Sequence, residues 1–237
     1  MTQTLAALLC AHILADFLFQ SGWMVRNKPR PQAMAAHGAV VLGLNALLMG
    51  SLAAGLIWLT ALHLAIDLLK SSVPRKGPIA FLLDQAAHLA SLGLLAWLEP
   101  GLWAAGLWSG LPALPTLLTL IAGLVAVTQG GGFLIALLMR PWAADAPDGL
   151  PNGGRLIGLL ERALIFLLIL TGQAAGIGFL IAAKSVLRFS DTKDDRKIGE
   201  YVIIGTLASF LWAISVAEAT QALLSVLPPL GIPKVTP

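Results

Sequence analysis

Residues 54–70 read Ala-Gly-Leu-Ile-Trp-Leu-Thr-Ala-Leu-His-Leu-Ala-Ile-Asp-Leu-Leu-Lys. The run has the length and apolarity of a membrane-spanning helix, for which about 20 residues suffice. Yet it carries His63 and Asp67, four residues apart and so on one helical face. An aspartate in hydrocarbon costs about 2.5–3.5 kcal/mol on insertion scales unless it finds a partner. A helix of this kind must turn its polar stripe toward other helices.

Neighbouring segments supply those partners. The pattern H-x-x-x-D recurs as His12-Ile-Leu-Ala-Asp16, and its reverse appears as Asp84-Gln-Ala-Ala-His88. A lone His37 sits in another apolar run, so all four histidines fall within the first 88 residues. His12 and His63 are 51 residues apart, as are Asp16 and Asp67, and His37 and His88. Ala35-Ala36-His37 recurs as Ala86-Ala87-His88. The first 98 residues therefore read as two tandem helical hairpins in one orientation, the parallel-repeat case with a pseudo-twofold axis along the membrane normal. Asp84 breaks the symmetry, because its counterpart is Ala33.

The whole chain agrees with this setting. Its 237 residues are 57% hydrophobic and 11% charged, where a soluble domain carries about 25% charge. The weak ten-residue alternation of an outer-membrane barrel is missing. The expected fold is an all-α polytopic bundle, with membrane helices near 3–20, 33–50, 54–70, 79–98, 114–139, 156–184 and 198–226. Residues 1–98 form the His/Asp module, 99–155 an interfacial stretch with Trp103 and Trp108, a membrane helix and a polar loop, and 156–237 the last membrane helices. The first apolar run lacks a basic leader and reads as a retained helix, not a signal peptide. A single cysteine, Cys10, permits no intrachain disulfide and reads as a small core residue.

Arg26, Lys28, Arg30, Lys70, Arg75 and Lys76 place the first and third connections on the cytoplasmic side of a bacterial inner membrane. With seven crossings, the cations from Lys184 to Lys197 fall on the wrong side. Either 99–139 or 155–188 must then cross an even number of times or lie in the interface. The net charge of +3 resides in loops and excludes nucleic acid as an expected partner. Expected partners are membrane lipids and a small-molecule or lipid substrate, with room for a homo-oligomer.

At about 1.5 Å per helical residue, Asp16, His37, Asp67 and Asp84 share one level below the cytoplasmic interface. His12, His63 and His88 share a second level one turn deeper. Imidazole and carboxylate without thiolate suit a divalent metal, zinc first and iron or manganese next. His12, Asp16, His37, His63, Asp67 and His88 are the candidate ligands, for two ions or for one ion with orienting neighbours. Asp84 is the candidate general base. Interhelical glue and a proton relay are the competing uses of such residues. Asn45 reads as glue.

Farther along, Arg162, Lys184 and Arg188 are candidates for neutralising an anionic headgroup, against the plainer reading of a Glu161–Arg162 ion pair and snorkelling cations. Gly172-Gln-Ala-Ala-Gly176 has the spacing of closely approaching helices. Gly130-Gly131-Gly132 follows no expected strand, so a kink or close packing accounts for it. Asp191, Asp194 and Asp195 alternate with cations as a solvated loop would.

His12-x-x-x-Asp16-Phe17, Trp23-Met24-x-x-Asn27-Lys28, His37, His63-x-x-x-Asp67 and Asp84-Gln85-x-x-His88 resemble a bacterial membrane-protein family of unknown function. Ile157-Gly158, Glu161-Arg162, Ala183-Lys184-Ser185, Glu200-Tyr201 and Gly205-Thr206 resemble its longer members. His12-Ile-Leu-Ala-Asp16 is also similar to a motif of inner-membrane metal-dependent hydrolases, which implies a metal and hydrolysis by analogy. These lines lead to the expectation of a membrane-embedded metal-dependent hydrolase acting on a lipid or amphiphile headgroup near the cytoplasmic face. A metal-ion or proton-coupled transporter using the same residues, and a membrane partner subunit without catalysis, are the alternatives.

Overall fold

A computed structural model of the chain describes residues 1–72, 77–145, 150–188 and 196–230, the side chains of Asp145, Leu187 and Arg188 excepted. The expected polar loop at 141–154, the charged loop after Arg188 and the tail from Pro228 lie partly outside these residues. The described elements are all helical. They group into two compact units, Met1–Val125 with Ala222–Pro237, and Ala126–Gln221. The division at residue 125 falls inside the segment 99–155.

In the first unit, α1 (Thr2–Phe17), α3 (Pro31–Met49), α4 (Ala54–Ser72) and α5 (Pro78–Leu98) carry the two hairpins, and α2 (Gly22–Arg26) is a short turn of helix in the first connection. Proline opens both α3 and α5, where its missing N–H and fixed φ cost nothing. The packing is cyclic: α1 on α3, α3 on α4, α4 on α5, and α5 back on α1. Exchanging α1 with α4 and α3 with α5 leaves that ring unchanged, as a twofold repeat requires. α6 (Leu114–Val125) packs on α1 alone of the four pseudo-equivalent helices and breaks the symmetry.

The first helix ends three residues before its expected limit. Leu18 and Phe19 both donate back to Leu14 O, and Ser21 Oγ then accepts from Met24 N–H and opens α2. At the other end of α1, Thr4 Oγ1 donates to Pro100 O and accepts from Trp103 N–H. Trp103 is thereby buried within this unit, in contrast to the interfacial position expected of it. Among the described residues, five helices are long and apolar enough to cross a membrane: Pro31–Met49, Ala54–Ser72, Pro78–Leu98, Leu114–Ala144 and Arg196–Leu224. Their apolar side chains are largely outward, with Trp58 75% and Ile79 72% exposed. Such surface is stable against hydrocarbon, not water.

The second unit corrects two expected helices. The segment 114–139 is not a single α-helix: a π turn at Ala126–Gly130 separates α6 from α7 (Gly131–Met139). The expected helix 156–184 is two helices, α8 (Gly153–Leu170) and α9 (Ala175–Arg188). Gly172 sits at φ 73°, its N–H bonds Ile169 O, and Gln173 N–H bonds Leu168 O. This is a glycine-terminated helix end in a mostly apolar run, flanked by Thr171 and Gln173. Gly172 thus belongs to a turn and Gly176 to the start of α9, not to one face of a continuous helix. A Cβ on Gly176 would lie 2.9 Å from Leu168 Cδ2, and Lys184 Nζ lies 2.7 Å from Glu161 Oε2. The chain therefore folds back, and α9 runs antiparallel along α8. Val127, Ile165, Phe166, Ile169, Phe210, Ala213 and Ala217, the last three from α10 (Arg196–Leu224), form this unit's core.

Candidate metal centre

Every helix of the four-membered ring delivers its polar stripe inward. α1 brings His12 and Asp16, α3 His37, α4 His63 and Asp67, and α5 Asp84 and His88. All are buried except Asp16, which keeps a small exposed edge. The rings of His12, His63 and His88 lie 4.2–5.5 Å apart between centroids, which groups the deeper histidines as one layer. His37 joins Asp16 and Asp67 in the other.

The contacts centre on four atoms: His37 Nε2, His63 Nε2, Asp16 Oδ1 and Asp67 Oδ2. His37 Nε2 is 3.0 Å from His63 Nε2, 3.5 Å from Asp16 Oδ1 and 3.3 Å from Asp67 Oδ2. His63 Nε2 is 3.3 Å from Asp16 Oδ1 and 3.9 Å from Asp67 Oδ2. One ring nitrogen carries at most one proton, so these contacts cannot all be hydrogen bonds. Asp16 Oδ1 and Asp67 Oδ2 are buried with no hydrogen-bond partner. Bonds of about 2.0–2.2 Å to nitrogen and oxygen put the edges of a zinc tetrahedron at about 3.3–3.5 Å. The five distances scatter about that value, and among the described residues three overlapping sets, His12, Asp16 and His63, His37, His63 and Asp67, and Asp67, Asp84 and His88, each bring one ligand atom per residue within 4.8 Å of the others.

The surrounding atoms orient this set. Lys28 Nζ donates to Asp67 Oδ1 at 2.7 Å, which leaves Oδ2 facing the histidines. Lys70 Nζ donates to Asp84 Oδ2 at 2.6 Å, and Gln85 Nε2 to the same oxygen at 3.3 Å. His88 Nδ1 lies 2.9 Å from Asp84 O, a carbonyl that only accepts, so Nδ1 carries the proton and the unpartnered, buried Nε2 keeps its lone pair. His12 Nε2 lies 3.3 Å from Gln85 Oε1, and its Nδ1 is likewise unpartnered, 3.9 Å from Asp16 Oδ2. With neutral imidazoles, three carboxylates face two ammonium groups, and one negative charge is left uncompensated. A desolvated charge of that kind is costly alone and favourable beside a cation.

Lys28, Lys70 and Gln85 are neighbours of the cluster that the reading of the sequence did not assign to the site. Both lysines read as topology signals, although Lys70 lies one helical turn beyond Asp67 and so on its face. Asn45 bonds Val41 O of its own helix, and Cys10 is fully buried in the packing of α1. Arg162 and Lys184 both lie in the second unit. Arg162 donates to Val127 O, Thr128 O and Ser209 Oγ, and Lys184 pairs with Glu161. The Glu161–Arg162 ion pair is therefore replaced by a Glu161–Lys184 pair between α8 and α9. The side chain of Arg188 lies outside the described residues.

The chain is an all-helical protein with membrane-length apolar helices and a buried His/Asp cluster inside its N-terminal ring. Residues 4–102 match the model of a family described as "Protein of unknown function (DUF3307)". The matched stretch holds α1 to α5 and all seven His and Asp residues of the cluster, and it ends before the second unit. No curated protein and no solved structure matches the chain.

Proposed function

We propose that the N-terminal ring is the metal centre of a membrane-embedded hydrolase in the bacterial inner membrane, acting on a lipid or amphiphile headgroup near the cytoplasmic face. One observation carries this reading: atoms of Asp16 and Asp67 each lie 3.3–3.9 Å from the paired Nε2 atoms of His37 and His63, and both carboxylate oxygens lack hydrogen bonds. A divalent ion held there, zinc in the first instance, supplies water activation and polarises a phosphoryl or carbonyl oxygen. Lys28 fixes which oxygen of Asp67 serves as ligand. Asp84 keeps Oδ1 free while Lys70 holds Oδ2, so it is the residue placed to accept a proton from the attacking water. His12 and His88, each with an unpartnered ring nitrogen, provide a second ion's ligands or relay that proton.

The twofold ring also favours a second reading, transport of a metal ion or proton along the same residues. Proteoliposomes separate the two. The hydrolase reading expects zinc-dependent release of headgroup from vesicles of phosphatidylglycerol and phosphatidic acid, abolished in His63→Ala. Zinc or proton flux without any released product overturns it in favour of transport.

A further inference from the structure

The second unit holds a cleft of its own, about 560 Å³ in volume, walled by α7, α8, α9 and the first half of α10. Arg155, Arg162 and Lys184 line it together with a single carboxylate, Glu161, a net of two positive charges. Glu161 is already paired with Lys184 at 2.7 Å. Arg162 is only 4% exposed, and no carboxylate among the described residues lies within ion-pair distance of it. Its guanidinium has five N–H donors, and three are spent, on Val127 O, Thr128 O and Ser209 Oγ. Two donors of a buried cation are therefore left at the wall of the cleft. A buried charge that meets only neutral acceptors is held at a cost, and an incoming anion removes it.

The rest of the wall says what that anion is attached to. Phe133, Ile135, Met139 and Ile157 make most of it apolar, while Tyr201 and Thr206 add hydroxyls. We propose that this cleft binds an oxyanion of the phosphate or carboxylate type, carried on an amphiphile whose chain lies along the apolar wall. Arg162 and Lys184 take the anion from within and Arg155 from the rim. The π turn makes the pocket possible: it frees the carbonyls that hold Arg162 in place, a use of irregular backbone common at ligand sites. The inference is independent of the metal centre, since no residue of the N-terminal ring enters it.

Calorimetric titration of the purified full chain in dodecyl maltoside tests this with dodecyl phosphate, dodecylphosphocholine and inorganic phosphate. Dodecyl phosphate is expected to saturate one site, and Arg155→Gln/Lys184→Gln to weaken it by at least about tenfold through lost charge-assisted bonds. Dodecylphosphocholine should bind weakly and respond little to that change. Inorganic phosphate binding as tightly as the amphiphile would assign the site to a free anion. Much weaker binding assigns it to a headgroup. If the double variant fails to fold, Arg155→Gln alone, at an exposed position, should cost about threefold. Unsaturable partitioning of dodecyl phosphate, or affinity indifferent to these substitutions, overturns the proposal. So does affinity that vanishes with a chelator, because the anion would then sit on a metal. Loss of metal in His63→Ala leaves this titration unchanged.

Discussion

Both units bury polar side chains among apolar helices, but they finish the task differently. In the second unit, three successive carbonyls of the π turn are claimed: Ala126 O by Trp212 Nε1, Val127 O by Arg162 Nε, and Thr128 O by Arg162 Nη2. In the N-terminal ring, one buried oxygen each of Asp16, Asp67 and Asp84 and one nitrogen each of His12, His37 and His88 have no hydrogen-bond partner. Asn45 Oδ1 and Trp103 Nε1 are unpartnered singly, but six such atoms gathered in one His/Asp cluster mark a place where something else binds. The comparison separates backbone carbonyls that Arg162 and Trp212 satisfy from ring atoms of the His/Asp cluster that nothing satisfies.

Arg162→Ala should break the architectural half most severely. It removes the Arg162 donors from Val127 O and Thr128 O, at about 1–3 kcal/mol each, and leaves a void beside the core. Thermal unfolding should show loss of the second unit's transition, or failure to fold, while metal content per folded molecule is unchanged. Asp16→Asn sharpens the other half. Asp16 has no lysine partner and faces only the imidazoles of His12, His37 and His63, so in metal-free protein the substitution removes a carboxylate charge held without an ammonium group. The metal-free melting temperature should then hold or rise, while metal affinity falls by at least about 100-fold, the upper end of what a lost orienting neighbour costs. A loss of stability in metal-free Asp16→Asn would show that the carboxylate is glue after all.

Gly131→Ala tests close packing at the π turn. A Cβ there would lie 2.6 Å from Trp212 Cδ1 and 2.8 Å from Arg162 Cδ, so about 1–3 kcal/mol should be lost to overpacking. Lys28→Met should leave folding almost intact and weaken metal binding by about 10–100-fold, by freeing the carboxylate of Asp67 to turn. Trp212→Phe removes one hydrogen bond to Ala126 O and should cost about 0.5–1.5 kcal/mol, the smallest effect of the series. Melting curves for the packing variants and competition with a chromophoric zinc chelator for Lys28→Met read these out.

Much of the first unit was legible because its signals are periodic. The expected spans 33–50, 54–70 and 79–98 differ from α3, α4 and α5 by no more than two residues at either end. The offset of 51 paired His12 with His63 and His37 with His88 before any packing was known, and the ring brings all of them together. The second unit was less legible because its decisive features are not periodic. Gly172 terminates a helix through a backbone angle, within a run from 167 to 181 whose only polar side chains are Thr171 and Gln173. The π turn at Ala126–Gly130 inserts its irregularity with no proline to announce it. Lys28 and Lys70 hid for a different reason: a cation next to a membrane helix satisfies the positive-inside rule and a carboxylate at once, and charge counting records only the first.

The central claim is that Asp16, His37, His63 and Asp67 hold one ion. Elemental analysis of the purified chain, wild type beside His63→Ala, Asp16→Asn and Asn45→Leu, measures it most directly. The account predicts one divalent ion per wild-type and Asn45→Leu chain, and none in His63→Ala or Asp16→Asn, with all four chains folded. A wild-type protein without stoichiometric metal after purification in zinc-supplemented buffer, or a His63→Ala protein that keeps its ion, would contradict it.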